Sequence, residues 1–526
     1  MNRTGIRAKA PQIKMSTTSQ SPTGSAPPSK IPWPLVISFF LFLNFLFLIA
    51  STGRVHTIDE VSADYQAESL VRHGTTAEPQ AIASHWFYGE LDRFGHPQSP
   101  YAPGQAVASI PWFLLGQFAA QHLPAIPAVA HDLVSDFVLT GSSAAFSALA
   151  ATLALIIFLR LNISTGKSLA AAGMLALATP IASYSAWFFS EPLGAALLIA
   201  AALALFAGPE DVPVSAGQGA AAGALLGAAI WVRPTHALAA LAFLIALFVR
   251  DRKRAFAPAV VLTAIVCFAG VAYLWRNIYL FGSPFEFGYP PAAEGGKALN
   301  TFHTPLSAGL FGYILSPGKS IFVFAPPLLL AIVGWRYLWR HSRGLATVVL
   351  LTPIIYMLFF ATYTQWEGGY SYGPRYLVPA LAVGCLALGP ALERNARWVS
   401  VSAIVLFAAG FLVQAIGVAT SFLEAEVGGG YYDAAYNYRM NFGAVWRQAG
   451  LAWHYATSPG AAPMGRGFDR WWLLLAKAGV APGTLWAIGL VEVGGAVLSG
   501  WMLWRSWKHS ESSAEILVPA QPITAD

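Results

Sequence analysis

Long apolar runs separated by short polar connections dominate the chain. They fall near residues 33–51, 133–159, 168–187, 192–208, 217–232, 235–250, 256–278, 320–338, 345–363, 376–392, 398–420 and 484–504. A membrane crossing needs about 20 apolar residues as a helix, so these twelve runs predict an all-α polytopic membrane protein of about 12 transmembrane helices. A thirteenth stretch, 104–118, is shorter and interrupted by Pro111 and Gly116, which suits an interfacial or re-entrant helix better. Residues 1–32 have no apolar period and are rich in Ser, Thr, Pro and Lys/Arg, the composition of a disordered tail. The first apolar run is too long for a signal-peptide core and lacks a small-residue cleavage site, so it is expected to remain as a span.

Polar positions between the runs predict further elements. Thr57 and Glu60 have capping-box spacing, and Gly74 is a ready terminator, so a short helix is expected from Ile58 to His73. Ile58, Val61 and Tyr65 give it an apolar stripe that can lie on the membrane surface.

Composition agrees with this pattern. Of 526 residues, 56% are hydrophobic and 11% charged, with a mean hydropathy of +0.55; an ordinary soluble domain is about 25% charged. A soluble enzyme, a disordered chain and a nucleic-acid-binding domain are all excluded. The net charge of +6 is read as membrane topology. With twelve spans and the N-terminal tail inside, the inner segments carry 18 Lys/Arg against 7 Asp/Glu, and the rest of the chain 13 against 18. The positive-inside tendency then places both termini in the cytoplasm. The sizeable outer segments are 52–132, 279–319 and 421–483, with 484–506 as the last span and 507–526 as a second tail. Cys267 and Cys385 sit inside apolar runs and form no metal or disulfide pattern.

Chemistry is concentrated on the outer side. Asp59 stands at a helix N-terminus on the membrane boundary, where the backbone donors and helix dipole keep a carboxylate ionised, the state required of a general base. Glu60 beside it has the cap position, and Asp64 and Glu68 extend an acidic face. Glu191, in Ser190-Glu191-Pro192 between two apolar runs, is a carboxylate at membrane depth, and such groups default to function. Arg233, Arg276 and Arg375 lie on the same side, and an arginine fork matches phosphate oxygens. Around Arg375, the stretch Gln365–Tyr372 with Tyr376 offers aromatic faces and flexible backbone suited to a sugar ring; an interfacial aromatic belt would read similarly.

In order along residues 33–420 stand Asp59-Glu60, Ser99-Pro100-Tyr101-Ala102-Pro103-Gly104, Ala178-Thr179-Pro180, Ser190-Glu191-Pro192 and Arg233-Pro234 closing a Gly-rich helix. Phe281-Gly282-Ser283-Pro284, Leu315-Ser316-Pro317-Gly318-Lys319 and Tyr372-Gly373-Pro374-Arg375-Tyr376 follow. This ordered set resembles the GT-C glycosyltransferases that use polyprenyl-phosphate sugars, in particular the protein O-mannosyltransferase and lipid A aminoarabinose transferase-like branch. The resemblance implies a GT-C-like bundle with juxtamembrane helices in the first outer loop. It implies Asp59 as the base and Glu191 as a second acid, with Glu60, Arg233, Arg276, Tyr372, Arg375 and Tyr376 toward the substrate. The implied reaction transfers a sugar, with inversion, from a polyprenyl phosphate to a glycan, lipid or protein acceptor at the outer face of an inner membrane. No cofactor is implied with certainty, since only some relatives use a divalent metal held by loop acids, which would make Glu60 a ligand. A transporter or flippase would need an internal repeat, and none is evident. A lipid-linked glycan polymerase or ligase would centre on arginines and a histidine in a large outer loop.

Overall fold

The computed structural model describes residues 31–123, 126–290, 302–369, 371–427, 443–458, 468 and 470–516. Residues 1–30 of the expected tail, Tyr370 and much of the segment 421–483 lie outside these residues.

Helices make the fold. They are α1 (Trp33–Ala50), α2 (Ile58–His73), α3 (Pro79–Ala83), α4 (Gly104–His122), α5 (His131–Arg160), α6 (Thr165–Leu177), α7 (Pro180–Tyr184) and α8 (Glu191–Phe206). Next come α9 (Ala216–Val232), α10 (Ala237–Arg250), α11 (Phe256–Phe281), α12 (Leu306–Ile314), α13 (Ile321–Phe324), α14 (Leu328–His341) and α15 (Arg343–Phe360). After them run α16 (Val378–Gly384), α17 (Leu388–Glu393), α18 (Arg397–Ala419), α19 (Phe422–Val427), α20 (Gly443–Thr457), α21 (Trp471–Lys477) and α22 (Pro482–Ile516). Among the described residues the only sheet pairs Glu90–Leu91 with Pro97–Gln98.

Among the described residues, seven helical stretches are long and apolar enough to cross a membrane, and three shorter apolar helices, at Glu191–Phe206, Ala216–Val232 and Pro234–Arg250, stand with them. The run 168–187 does not form one helix: Pro180 has no amide proton to continue α6, and Thr179 caps α7 by accepting from the Ile181 amide. In the same way Pro326 and Pro327 divide the run 320–338 into α13 and α14. The expected stretch 104–118 is a full 19-residue helix, α4, that tolerates Pro111 in its interior.

Small residues set the packing distances. Gly219, Gly223 and Gly227 lie one turn apart on α9, where an added Cβ would meet Pro258, Leu262 and Ala269 of α11 at 2.5, 3.2 and 3.0 Å. Backbones approach closely along such a stripe, and dispersion contacts replace the hydrophobic drive that lipid cannot supply. α8 packs between α5 and α9 and also against α16.

The two ends of the bundle differ. α8 runs from Glu191 to the connection 207–215, where Arg250 at the end of α10 donates to the carbonyls of Leu205 and Val212, both at 2.9 Å. Nearby, the Arg343 amide donates to Glu210, and Lys167 donates to Asn395 at 2.8 Å. The opposite end, where α8 begins, gathers the start of α2, the segment before α4 and the residues before α16.

Candidate functional site

α2 begins and ends as the capping pattern predicts. Glu60 reaches back to the amides of His56 and Thr57, and Gly74, at φ +67°, closes the helix. The other oxygen of Glu60 accepts from the Phe188 amide at 2.8 Å, while Gln105 Nε2 donates to the Phe188 carbonyl at 2.7 Å. Both faces of the Phe188 peptide are thus fixed. Phe188 leads directly into Glu191, so α2 and α4 together position the first residue of α8.

Arg375 is placed by a separate device. Gly373 adopts φ +68°, a conformation that L side chains rarely take, and a Cβ there would lie 2.7 Å from Phe324. The buried Lys319 ammonium donates to the carbonyls of Ser371 and Gly373 at 2.9 and 3.3 Å, and the Arg375 amide donates back to Gly373 at 3.0 Å. The turn therefore delivers the Arg375 side chain toward α2 and α8.

There it bridges two acids. Arg375 Nε donates to Glu191 Oε1 at 2.8 Å, and Arg375 Nη2 donates to Asp59 Oδ2. Arg233, the C-cap of α9, donates to the same Glu191 Oε1 at 2.8 Å. Two carboxylates and two guanidinium groups balance in charge. The Glu191 and Arg375 side chains are 0% and 7% exposed, whereas Asp59 and Arg233 are each 20% exposed and form the wetter rim. The Phe189 ring lies 4.2 Å from the Arg375 guanidinium carbon, and the Tyr376 ring 4.9 Å from that of Arg233. Glu191 Oε2 is buried without a hydrogen-bond partner among the described residues.

A cavity of about 70 Å³ opens onto the rim, lined in part by Asp59, Tyr101, Gln105, Arg233, Tyr289 and Arg375. Burial would raise the Asp59 carboxyl, but Arg375, the Tyr101 hydroxyl and the charge of Arg233 outweigh it and hold Asp59 below its ordinary value. The group stays ionised at neutral pH. Tyr101 arrives because Gly104 lets α4 start against α9: a Cβ on Gly104 would sit 2.4 Å from the Trp231 carbonyl oxygen.

The structure thus brings Asp59, Glu191, Arg233, Arg375 and Tyr376 together. Three other expected residues lie elsewhere. Glu60 is committed to its cap and to Phe188. Tyr372 buries its ring against Phe324 and donates its hydroxyl to the Val413 carbonyl at 2.6 Å. Arg276 sits under Tyr273 at the end of α11, with Asn277 as its hydrogen-bond partner. Tyr101 and Lys319 are the additions; both belong to motifs visible in the sequence, though nothing in one dimension shows what their polar atoms reach. For a metal, both oxygens of Glu60 are already occupied by backbone amides, which does not fit a ligand. Among the described residues no group of three His, Cys, Asp or Glu side chains converges as a metal site.

Fold and site define an α-helical polytopic membrane protein with a buried carboxylate–guanidinium centre at one end of its bundle. No family model matches the chain, and no curated protein sequence matches it. In fold it is similar to two crystal structures of ArnT from Cupriavidus metallidurans. The apo form is 15% identical with a TM-score of 0.47, and the form bound to undecaprenyl phosphate is 16% identical with a TM-score of 0.42. Each match covers 90% of this chain and 76% of that chain.

Proposed function

We propose that the protein is an inner-membrane glycosyltransferase that moves a sugar from a polyprenyl phosphate to an acceptor hydroxyl at the outer, periplasmic end of the bundle. One observation carries the reading: Arg375 is shared between Asp59 and Glu191, beside Arg233, at the edge of a polar cavity. A phosphate arriving with its lipid in the membrane meets two guanidinium groups at the depth of its headgroup, and the forks match its oxygens. The ordered motifs of the GT-C resemblance support the same donor.

The chemistry follows from charge. The phosphate takes Arg375 from Asp59, which leaves an ionised carboxylate facing the cavity. Asp59 accepts the proton as the acceptor O–H bond breaks, and the acceptor oxygen bonds the anomeric carbon. The bond from that carbon to the phosphate oxygen breaks on the opposite side, and its electron pair stays on the phosphate. Arg375 and Arg233 stabilise the charge that grows there. One such displacement inverts the anomeric centre. Glu191 keeps both guanidinium groups aimed at the cavity. Purified protein incubated with polyprenyl-phosphate sugars and candidate acceptors should release polyprenyl phosphate. Absence of release with every donor tested, from protein that binds polyprenyl phosphate, would remove the transferase reading.

A further inference from the structure

We infer that His236 is the positioning residue for Arg233, the second guanidinium of the centre, and that it acts through its hydrogen bond to Tyr356. The inference rests on the transferase reading above, in which Arg233 meets the donor phosphate. Arg375 is aimed by the Lys319-bound turn at Gly373, and a different device sets Arg233. Arg233 takes the extended conformation favoured before a proline, with φ −154° and ψ 119°. Pro234–His236 then form a single turn that leads into α10. The His236 amide donates to the Arg233 carbonyl at 2.9 Å, so the two residues move as one unit. Of the three residues in the turn, His236 is the buried one.

The His236 ring is held by two neighbouring helices. Its Nδ1 and the Tyr356 hydroxyl are hydrogen-bonded at 2.7 Å, which ties the turn to α15. The ring also lies against α8: a Cβ on Gly194 would stand 2.5 Å from His236 Nε2. Gly194 is one turn past Glu191 on that helix. A second route leads from Tyr356 back to the arginine. Tyr356 meets Phe360 at 6.2 Å, Phe360 stacks on Tyr376 at 4.6 Å, and the Tyr376 ring lies 4.9 Å from the Arg233 guanidinium carbon. Arg233 closes the circuit on Glu191 at 2.8 Å. The circuit runs through α8, the turn after α9, α15 and the segment before α16, and the His236–Tyr356 bond joins the turn to α15.

The bond bears on the donor because an arginine is long and hinged. Where its backbone is held decides whether its fork reaches the phosphate, and a misplacement of about 1 Å can cost roughly a hundredfold in rate. An apolar side chain at 236 could fill the space but would strand the buried Tyr356 hydroxyl. A buried polar group without its partner is costly. The turn relieves that cost by shifting, and Arg233 shifts with it. Tyr356 and His236 themselves need touch neither phosphate nor sugar.

The test measures binding of polyprenyl phosphate to detergent-purified protein, with thermal unfolding recorded for each variant. Tyr356→Phe keeps the ring and removes only the hydroxyl; it should weaken binding roughly tenfold, the scale of one hydrogen bond. In an Arg233→Ala background the same change should alter binding less than about twofold, because the residue being positioned is gone. A merely structural role would weaken binding by the same factor in both backgrounds. From the other side of the bond, His236→Asn keeps a hydrogen-bonding atom at the place of Nδ1 and should bind closer to the parent than His236→Leu, which has none. That pair keeps the test decisive where Tyr356→Phe folds poorly. Equal factors with and without Arg233, or equal binding by the asparagine and leucine variants, would overturn the positioning role and leave the transferase intact. A parent protein that binds no polyprenyl phosphate would instead overturn the transferase reading.

Discussion

Glu191→Gln tests the charge balance of the centre. Glu191 Oε1 takes a 2.8 Å bond from each of two arginines, and its side chain is fully buried. Glutamine keeps the shape but removes the negative charge, leaving two guanidinium groups facing Asp59 alone. Taking one partner from a buried ion pair costs about 3–5 kcal/mol, because the stranded charge cannot return to water. The new amide nitrogen adds to this if it takes the place of Oε2, a buried position that makes no hydrogen bond in the parent. The free protein should therefore unfold at a clearly lower temperature in detergent. Polyprenyl phosphate brings back the missing negative charge, and a ligand that binds only the folded state stabilises it by mass action. Recovery of about 1.4 kcal/mol of the deficit would tighten binding tenfold. The assay is thermal unfolding of parent and variant over a titration of polyprenyl phosphate. An unchanged unfolding temperature, or equal ligand-induced shifts in the two proteins, would refute the argument that Glu191 neutralises the arginines.

Asp59→Asn should lower transfer by roughly 10²- to 10⁴-fold with polyprenyl phosphate still bound; initial rates and lipid binding measured together check it. Arg375→Lys keeps one charge but cannot bridge Asp59 and Glu191 as a fork does, so donor use should fall steeply, and parental donor kinetics would count against the clamp. Gly104→Ala pushes α4 away from the α9 backbone at Trp231 and Val232; kcat should drop through displacement of Tyr101 and Arg233, with helical content by circular dichroism retained. Cysteines at Lys253 and Ser342 should resist an impermeant thiol reagent applied outside intact cells, while those at Ala77 and Ser458 react; the reverse pattern would invert the topology.

Local rules made some of this architecture legible in the sequence. The bounds of α2 follow from Thr57, Glu60 and Gly74 because a capping box and a left-handed terminator act within one turn of the chain. The apolar runs are equally local, and the helices follow them wherever no proline intervenes. The breaks at Pro180 and Pro326-Pro327 come from missing amide protons inside otherwise apolar sequence, which hydropathy does not register. Separating Arg233 and Arg375 from Arg276 was beyond such reasoning. All three stand beside prolines or aromatics at the same end of the bundle, and the packing of α9 against α11 together with the turn at Gly373 decides which of them points at α8. Tyr372 misled for a related reason. It lies three residues from Arg375, but the left-handed turn at Gly373 sends the two side chains apart, one toward Val413 in the core and the other to the ion pair with Glu191 and Asp59.

The division of labour between the adjacent acids Asp59 and Glu60 shows how one helix end can serve structure and chemistry together. Successive helical residues point about a quarter-turn apart, so the two carboxylates cannot share a direction. Glu60 folds back to the amides that open the helix and across to Phe188, which fixes where Glu191 begins α8. Asp59, with no cap to make, reaches the arginine that Glu191 also holds. Exchanging the two residues would therefore break both functions: aspartate at 60 is too short to span the cap and Phe188, and glutamate at 59 would overrun the cavity. On the proposed mechanism that pairing has a chemical use. The carboxylate that becomes the base is kept charged and in place by the same guanidinium that the donor phosphate will claim, so the base is released when there is a sugar to transfer.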